Sequence, residues 1–187
     1  MPCLAPPSGE LHASYLEALD EFRAEGRLGP GDSTGLAHEA REGISGLDDP
    51  EGFAAYVAGL RGRALPETPR PSGWVPETIL WFSDGPTFIG RLSIRHRLTD
   101  SLRETGGHIG YDVRPSARRR GHGTEMLRQA RPIARQLGID PALVTCDVDN
   151  IGSRKVIEAN GGRLEDVRHG KRRYWVPTGR TGDDRAI

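Results

Sequence analysis

Residues Val113–Leu127 read V-R-P-S-A-R-R-R-G-H-G-T-E-M-L, and the fold turns on how this stretch is understood. Upstream, His108-Ile109-Gly110-Tyr111-Asp112-Val113 is strand-like, and Pro115, with a fixed φ and no amide donor, stops it. Downstream, Met126, Leu127, Ala130, Ile133, Ala134 and Leu137 recur at helical spacing and make one apolar face. Arg128, Gln129, Arg131, Arg135 and Gln136 take the other face. Between strand and helix lies Arg118-x-x-Gly121-x-Gly123. Glycines there let backbone approach a bulky anion. The first amides of the following helix have no intrahelical partner and carry the positive end of its dipole. Strand, glycine turn and helix N-terminus together make a phosphate cradle. Two common cradles are excluded. A dinucleotide fingerprint needs a third glycine where Met126 stands, and the Gly-Lys-Ser/Thr of a P-loop occurs nowhere in the chain.

Working outward, the N-terminal part reads as helices and then strands. Leu11–Glu25 carries Leu11, Tyr15, Leu16, Leu19 and Phe22 on one side. Pro50–Leu65 carries Phe53, Tyr56, Val57 and Leu60, with Asp48 or Asp49 as its cap. Gly26–Gly35 and Pro66–Pro76 are rich in glycine and proline and read as loops. Thr78–Phe82, Thr87–Arg97 and Gly106–Val113 read as strands, the first two joined by the turn Asp84-Gly85-Pro86. On the C-terminal side, the cradle helix is expected to bend at Pro132. Ala142–Asp147 reads as a strand, and Ser153–Ala159 as a short helix stopped by Asn160-Gly161-Gly162. Arg163–Val167 and Arg172–Val176 read as strands joined at His169-Gly170, and the residues after Pro177 as a disordered tail. This order departs from the alternation of a doubly wound sheet.

The 187 residues suffice for one domain with a real core, and the formal net charge is +0. Neutral balance and 6% aromatic residues argue against a nucleic-acid partner, and nothing global points to a membrane. Charge is nevertheless uneven. Glu17, Asp20, Glu21, Glu25 and Glu39 sit in the N-terminal third, while Arg114, Arg118, Arg119, Arg120, Arg154 and Lys155 lie in the second half. This suggests a basic half that holds a polyanion and an acidic half near a cationic substrate. Cys3 and Cys146 suggest no disulfide framework. No signal-like segment opens the chain and no apolar run approaches about 18 residues, so a cytoplasmic protein is expected. His12, His38, His96, His108, His122 and His169 are scattered, and no zinc spacing occurs, so no metal is expected.

Arg118-x-x-Gly121-x-Gly123 after a strand ending in Val-Arg-Pro resembles the acetyl-CoA motif of the GNAT N-acetyltransferase superfamily. The element order also resembles that family, with a first strand near Cys3–Ala5. So do Thr145-Cys146-Asp147-x-x-Asn150-x-x-Ser153 and Ile157-Glu158-Ala159-Asn160-Gly161-Gly162. The run Ile94-Arg95-His96-Arg97-Leu98, followed by Gly106-Gly107-His108-Ile109-Gly110-Tyr111, is similar to a bacterial branch of the superfamily. The resemblance covers about Leu11 to Val176 and implies an α/β (α+β) GNAT fold. That fold has a mixed, mostly antiparallel central sheet flanked by helices. In order it runs strand, two helices, three strands, helix, strand, helix, two strands. A single domain over 1–177 is expected, with 178–187 as the tail.

The resemblance also implies a chemistry: acetyl-CoA as co-substrate, direct acetyl transfer to a primary amine, and a small-molecule acceptor that is amino acid-, polyamine- or antibiotic-like. Acetylation of a protein amine, or a CoA-binding module without catalysis, are the alternatives, and a monomer or homodimer is expected. Cofactor contacts fall on Tyr111, Asp112, Val113, Arg118, Arg119, Arg120, Gly121, His122, Gly123, Thr124, Asn150 and Ser153. Arg119, Arg120 or Lys155 would meet the 3′-phosphate, and the Val113 amide would face the thioester oxygen. The usual base position falls near Gly107, which leaves His108 and His96 as candidate bases. His108 has the opposite strand parity unless a bulge shifts it. The family's tyrosine acid falls at Ile157, which leaves Tyr111 or solvent.

Overall fold

The computed structural model describes residues 1–32, 34–42 and 46–179. Its elements are β1 (Cys3–Ala5), α1 (His12–Ala24), α2 (Gly35–Glu42), α3 (Pro50–Gly62), β2 (Glu77–Asp84), β3 (Thr87–Arg95), β4 (Ile109–Val113), α4 (His122–Gln136), β5 (Ala142–Asp147), α5 (Ile151–Ala159), β6 (Arg163–Arg168) and β7 (Lys171–Val176). The strands make one mixed sheet in the order β1-β2-β3-β4-β5-β7-β6. β4 and β5 run parallel with Ile109 opposite Val144, while β1–β2, β5–β7 and β6–β7 are antiparallel.

The structure adds one helix, α2, between the two expected ahead of β2. Eight residues with Leu36, Ala37 and Ala40 buried give too short a window for periodicity to announce it. Gly106–Val113 is also not strand throughout. Leu102–Gly106 forms a π-helical turn, Gly107 follows at φ 67, and the strand begins at Ile109. Of the tail, Thr178 is buried and donates its N–H to Asp140 Oδ1 at 3.1 Å, whereas 180–187 lies outside the described residues.

The chain forms two compact units. The first comprises Met1–Thr68, Thr78–Ser93 and Tyr111–His122. Its core joins Tyr15, Leu19 and Phe22 of α1, Phe53, Val57 and Leu60 of α3, and Ile79, Trp81 and Phe88 of β2 and β3. Tyr15 stacks on Trp81 at 4.6 Å and meets Phe88 edge-on at 5.1 Å. Each such ring removed from water contributes roughly 1.5–3 kcal/mol. Asp49 caps α3 by accepting the Gly52 N–H at 2.9 Å, so of the two expected caps the second is used. β3 is buried on both faces, and Arg91 is carried inside with it. That guanidinium is neutralised by the equally buried Glu39 of α2.

The second unit comprises Pro69–Glu77, Ile94–Gly110 and Gly123–Ile187. Met126, Leu127, Ala130 and Ala134 of α4 are buried, as the helical spacing predicts, together with Leu143 and Val144 of β5 and Ile157 of α5. Arg131, expected on the outer face, is buried instead, and donates to the carbonyls of Pro177 at 2.8 Å and Gly179 at 3.0 Å. It fastens the end of the described chain to α4. His169 at φ 50 and Gly170 at φ 72 form the two-residue turn between β6 and β7. Positive φ at both positions matches the twist of an antiparallel hairpin.

Candidate active site

After β4, Pro115–Ala117 forms a single tight turn, and the chain then enters α4 through Arg119 at φ 62 and Gly121 at φ 82. A left-handed residue just before a helix turns its first amides outward into a shared concavity. A Cβ on Gly121 would meet nothing within 4 Å, so the approach to those amides is open. Arg119 and Arg120 are exposed and carry no hydrogen bond or ion pair among the described residues. His122 opens α4 with its ring edge-on to Phe82 at 5.9 Å. Thr124 offers its carbonyl to Asn160 Nδ2 at 3.1 Å, which ties the first turn of α4 to the end of α5.

What holds the cradle is the acidic face of α1. Arg114, 7% exposed, donates to Glu21 Oε1 from Nη2 at 2.6 Å and from Nε at 2.9 Å. Glu21 also accepts the Ser116 N–H at 2.9 Å. Burial alone would raise the Glu21 pKa, but these donors from Arg114 and Ser116 hold it below the ordinary value. Arg118 donates from Nη1 to Glu25 at 2.7 Å and from Nε to the Val113 carbonyl at 3.0 Å. The Arg118 side chain therefore serves the framework, and what it offers an anion is backbone. Part of the charge asymmetry seen in the sequence is used in pairing: Glu21 and Glu25 are matched to Arg114 and Arg118.

β4 is set by its pairing with β3. Arg95 N–H donates to His108 O at 2.8 Å and Arg114 N–H donates to Ile89 O at 2.9 Å. The two bonds are six residues apart on each strand (89 to 95 and 108 to 114), so no extra residue intervenes. By alternation the N–H groups of Tyr111 and Val113 point away from β3. The side chain of Asp112 pairs with Arg27 at 2.9 Å. Tyr111 is partly buried and has further contacts of its own.

At the other end of β4, His108 is buried and bonded twice to Leu143. Its backbone N–H donates to Leu143 O at 2.7 Å, and its Nδ1 accepts the Leu143 N–H at 2.9 Å. Accepting at Nδ1 places the proton of the neutral ring on Nε2. Burial first, and then the charges of Arg103 and Arg95, push its pKa down to about 4. A neutral ring with Nδ1 engaged and Nε2 protonated has no lone pair left for an acceptor's proton. Without an intervening bulge, its strand parity is also unchanged. Gly107, at the expected base position, cannot carry a side chain: a Cβ would stand 2.7 Å from the Leu143 carbonyl oxygen. His96 lies just past β3, half-buried, its N–H donating to Pro76 O at 2.9 Å. Burial lowers its pKa, partly countered by Glu77.

Asn150 caps α5, its Oδ1 accepting the Ser153 N–H at 2.9 Å, so the two predicted contacts at this helix bond to one another. Ile157 is fully buried, and Lys155 is exposed. The Cys146 thiol is buried and its pKa is pushed up by that burial, which favours the thiol over the nucleophilic thiolate. Tyr174 on β7, opposite Val144, donates to Glu158 at 3.2 Å. Among the described residues no helix is long and apolar enough to cross a membrane, and no group of histidine, cysteine and carboxylate side chains could hold a metal ion.

Residues 35–163 match the family described as the acetyltransferase (GNAT) domain. The chain belongs to the GNAT acetyltransferase family. GNAT structures reproduce the fold. RimJ of Mycobacterium smegmatis, in complex with CoA-disulfide, aligns with a TM-score of 0.63 at 17% identity over 100% of this chain and 84% of its own. PaiA N-acetyltransferase of Thermoplasma acidophilum, in complex with coenzyme A, aligns at 0.57 with 15% identity over 95% and 99%. YncA of Salmonella typhimurium, with acetyl-CoA, aligns at 0.57 with 13% identity over 97% and 96%. No curated protein sequence matches the chain.

Proposed function

We propose that this GNAT protein transfers an acetyl group from acetyl-CoA directly to the primary amine of a small molecule. The observation that carries the proposal is the cradle between β4 and α4. Open space over Gly121, outward-facing amides and the unengaged cations Arg119 and Arg120 fit a pyrophosphate and a 3′-phosphate. The contacts run from Tyr111 through Thr124, with Arg118 contributing backbone only. Asn150 and Ser153 stand at the start of α5 for the pantetheine arm. Acetyl-CoA supplies the acetyl group as a thioester. The Val113 N–H, directed away from β3, stabilises negative charge developing on the thioester oxygen. With His108 tied to Leu143, His96 is the candidate base and Tyr111 the candidate acid for the thiolate.

The test is a calorimetric titration with acetyl-CoA, followed by thiol release and acceptor mass gain across amino acids, polyamines, aminosugar amines and a peptide N-terminus. Binding with turnover of small amines is expected. Turnover of the peptide alone would shift the acceptor to protein, binding without turnover would leave a CoA-binding module, and no binding would remove the cradle reading.

A further inference from the structure

Arg27, in the loop after α1, makes more directed contacts than a surface loop arginine needs. Its Nη1 meets Asp112 Oδ1 on β4 at 2.9 Å, its Nη2 donates to Thr34 Oγ1 at 2.8 Å, and its Nε meets Asp32 Oδ2 at 3.3 Å. Asp32 is fixed in turn by the N–H groups of Leu28 at 3.0 Å and Thr34 at 2.9 Å. The guanidinium lies 5.1 Å from the centre of the Phe22 ring. The same ring carries Arg118 at 5.9 Å, and Arg118 holds the carbonyl of the next residue, Val113, at 3.0 Å. Two arginines sharing one aromatic thus grip consecutive residues at the end of β4, one by side chain and one by backbone. Opposite them, Gly90 of β3 makes room for the Asp112 carbonyl, which any Cβ there would overlap.

A peptide unit is planar, so fixing the Asp112 side chain and carbonyl together with the Val113 carbonyl fixes the direction of the N–H between them. That N–H belongs to Val113. We propose that Arg27 is a positioning residue for the reaction: through Asp112 it aims the Val113 amide at the thioester carbonyl. This rests on the proposed acetyl-CoA reading. Among the described residues the side-chain hydrogen bonds and ion pairs of Arg27 go to Asp32, Thr34 and Asp112, so it sets how the bound thioester is polarised and leaves the hold on the phosphates to the loop Arg119–Thr124.

Acetyl-CoA labelled with carbon-13 at the thioester carbonyl separates the two. In the parent, binding is expected to move the carbonyl infrared band to lower frequency, as a hydrogen bond to the oxygen requires. In Arg27→Gln the shift is lost and kcat falls at least tenfold, while calorimetric affinity stays within about threefold. Asp112→Asn behaves alike, and the double variant loses no more than either single one, because both break the same link. Arg27→Lys, which keeps the charge but not the fork, recovers part of the shift. Arg23→Gln, on the exposed face of α1, changes nothing. A full band shift in a folded Arg27→Gln protein overturns the proposal, and so do additive losses in the double variant or a parent that binds without any shift. Failure of the parent to bind acetyl-CoA at all overturns the cradle reading instead.

Discussion

His108, just before β4, and Val113 at its end are five residues apart and are held in opposite ways. At its C-terminal end, Asp112 and Val113 are gripped by charged side chains, and the cradle that follows presents backbone. At its N-terminal end, backbone crowding leaves Gly107 no room for a side chain, and the imidazole of His108 is spent on the Leu143 N–H. One end keeps its amides available by letting arginines do the structural work. The other consumes the group that the glycine at the usual base position left as a candidate base. A polar residue beside a site is thus catalytic or structural according to what its lone pairs already do, and residue type alone does not say which.

The largest expected effect tests the open end. Gly121→Glu puts a side chain and a negative charge where phosphate approaches, and also forces a residue with a Cβ to φ 82. Acetyl-CoA affinity should fall at least a hundredfold, read by calorimetry, with a loss of stability of about 1–3 kcal/mol from the backbone alone. Unchanged affinity in the folded variant would remove the cradle.

Next comes the closed end. His108→Gln should cost about 1–3 kcal/mol in denaturant unfolding, since the buried Leu143 N–H loses its acceptor, while kcat per folded molecule stays within about threefold. The pH dependence follows from the lowered pKa. Between the ordinary value of 6.5 and the folded value of about 4, the unfolded chain binds the proton and the native one does not. Native stability contributed at this site is therefore full above 6.5, falls as pH drops toward 4, and flattens below. That slope should vanish in His108→Gln. A large kcat loss with unchanged stability would restore His108 as the base.

His96→Gln asks whether the remaining imidazole acts. General-base loss is typically worth about 10²–10⁴ in rate, so kcat should fall by about a hundredfold with affinity for acetyl-CoA intact. Because burial lowers the His96 pKa, its limb in the pH–rate profile should lie below 6.5. A kcat within about threefold of the parent would leave proton removal to water.

The smallest effect is at the rim of the cradle. Arg119→Gln with Arg120→Gln should weaken acetyl-CoA by about three- to tenfold at low salt and less at high salt, as exposed charges are screened. The difference should disappear with 3′-dephospho-CoA. If it persists, these arginines meet some other part of the cofactor.

The sequence by itself determined what depends on neighbours along the chain. The strand, glycine turn and helix of the cradle were legible because φ freedom, proline stops and the 3.6-residue period are local properties. The cap of α3 at Asp48 or Asp49, the hairpin at His169-Gly170 and the order of the elements along the chain were legible for the same reason, whereas Asn150, read as a cofactor contact, also caps α5. α2 was missed because eight residues carry too little periodicity. Only the tertiary structure decided which charges are spent. Glu21 and Arg114 are 93 residues apart in the chain, and His108 and Leu143 are 35 apart. Arg27 meets Asp112 only when the loop after α1 is folded onto β4. Ion pairs and lone-pair occupancy act over a few ångströms in space at any distance in sequence, so no spacing rule could have announced them.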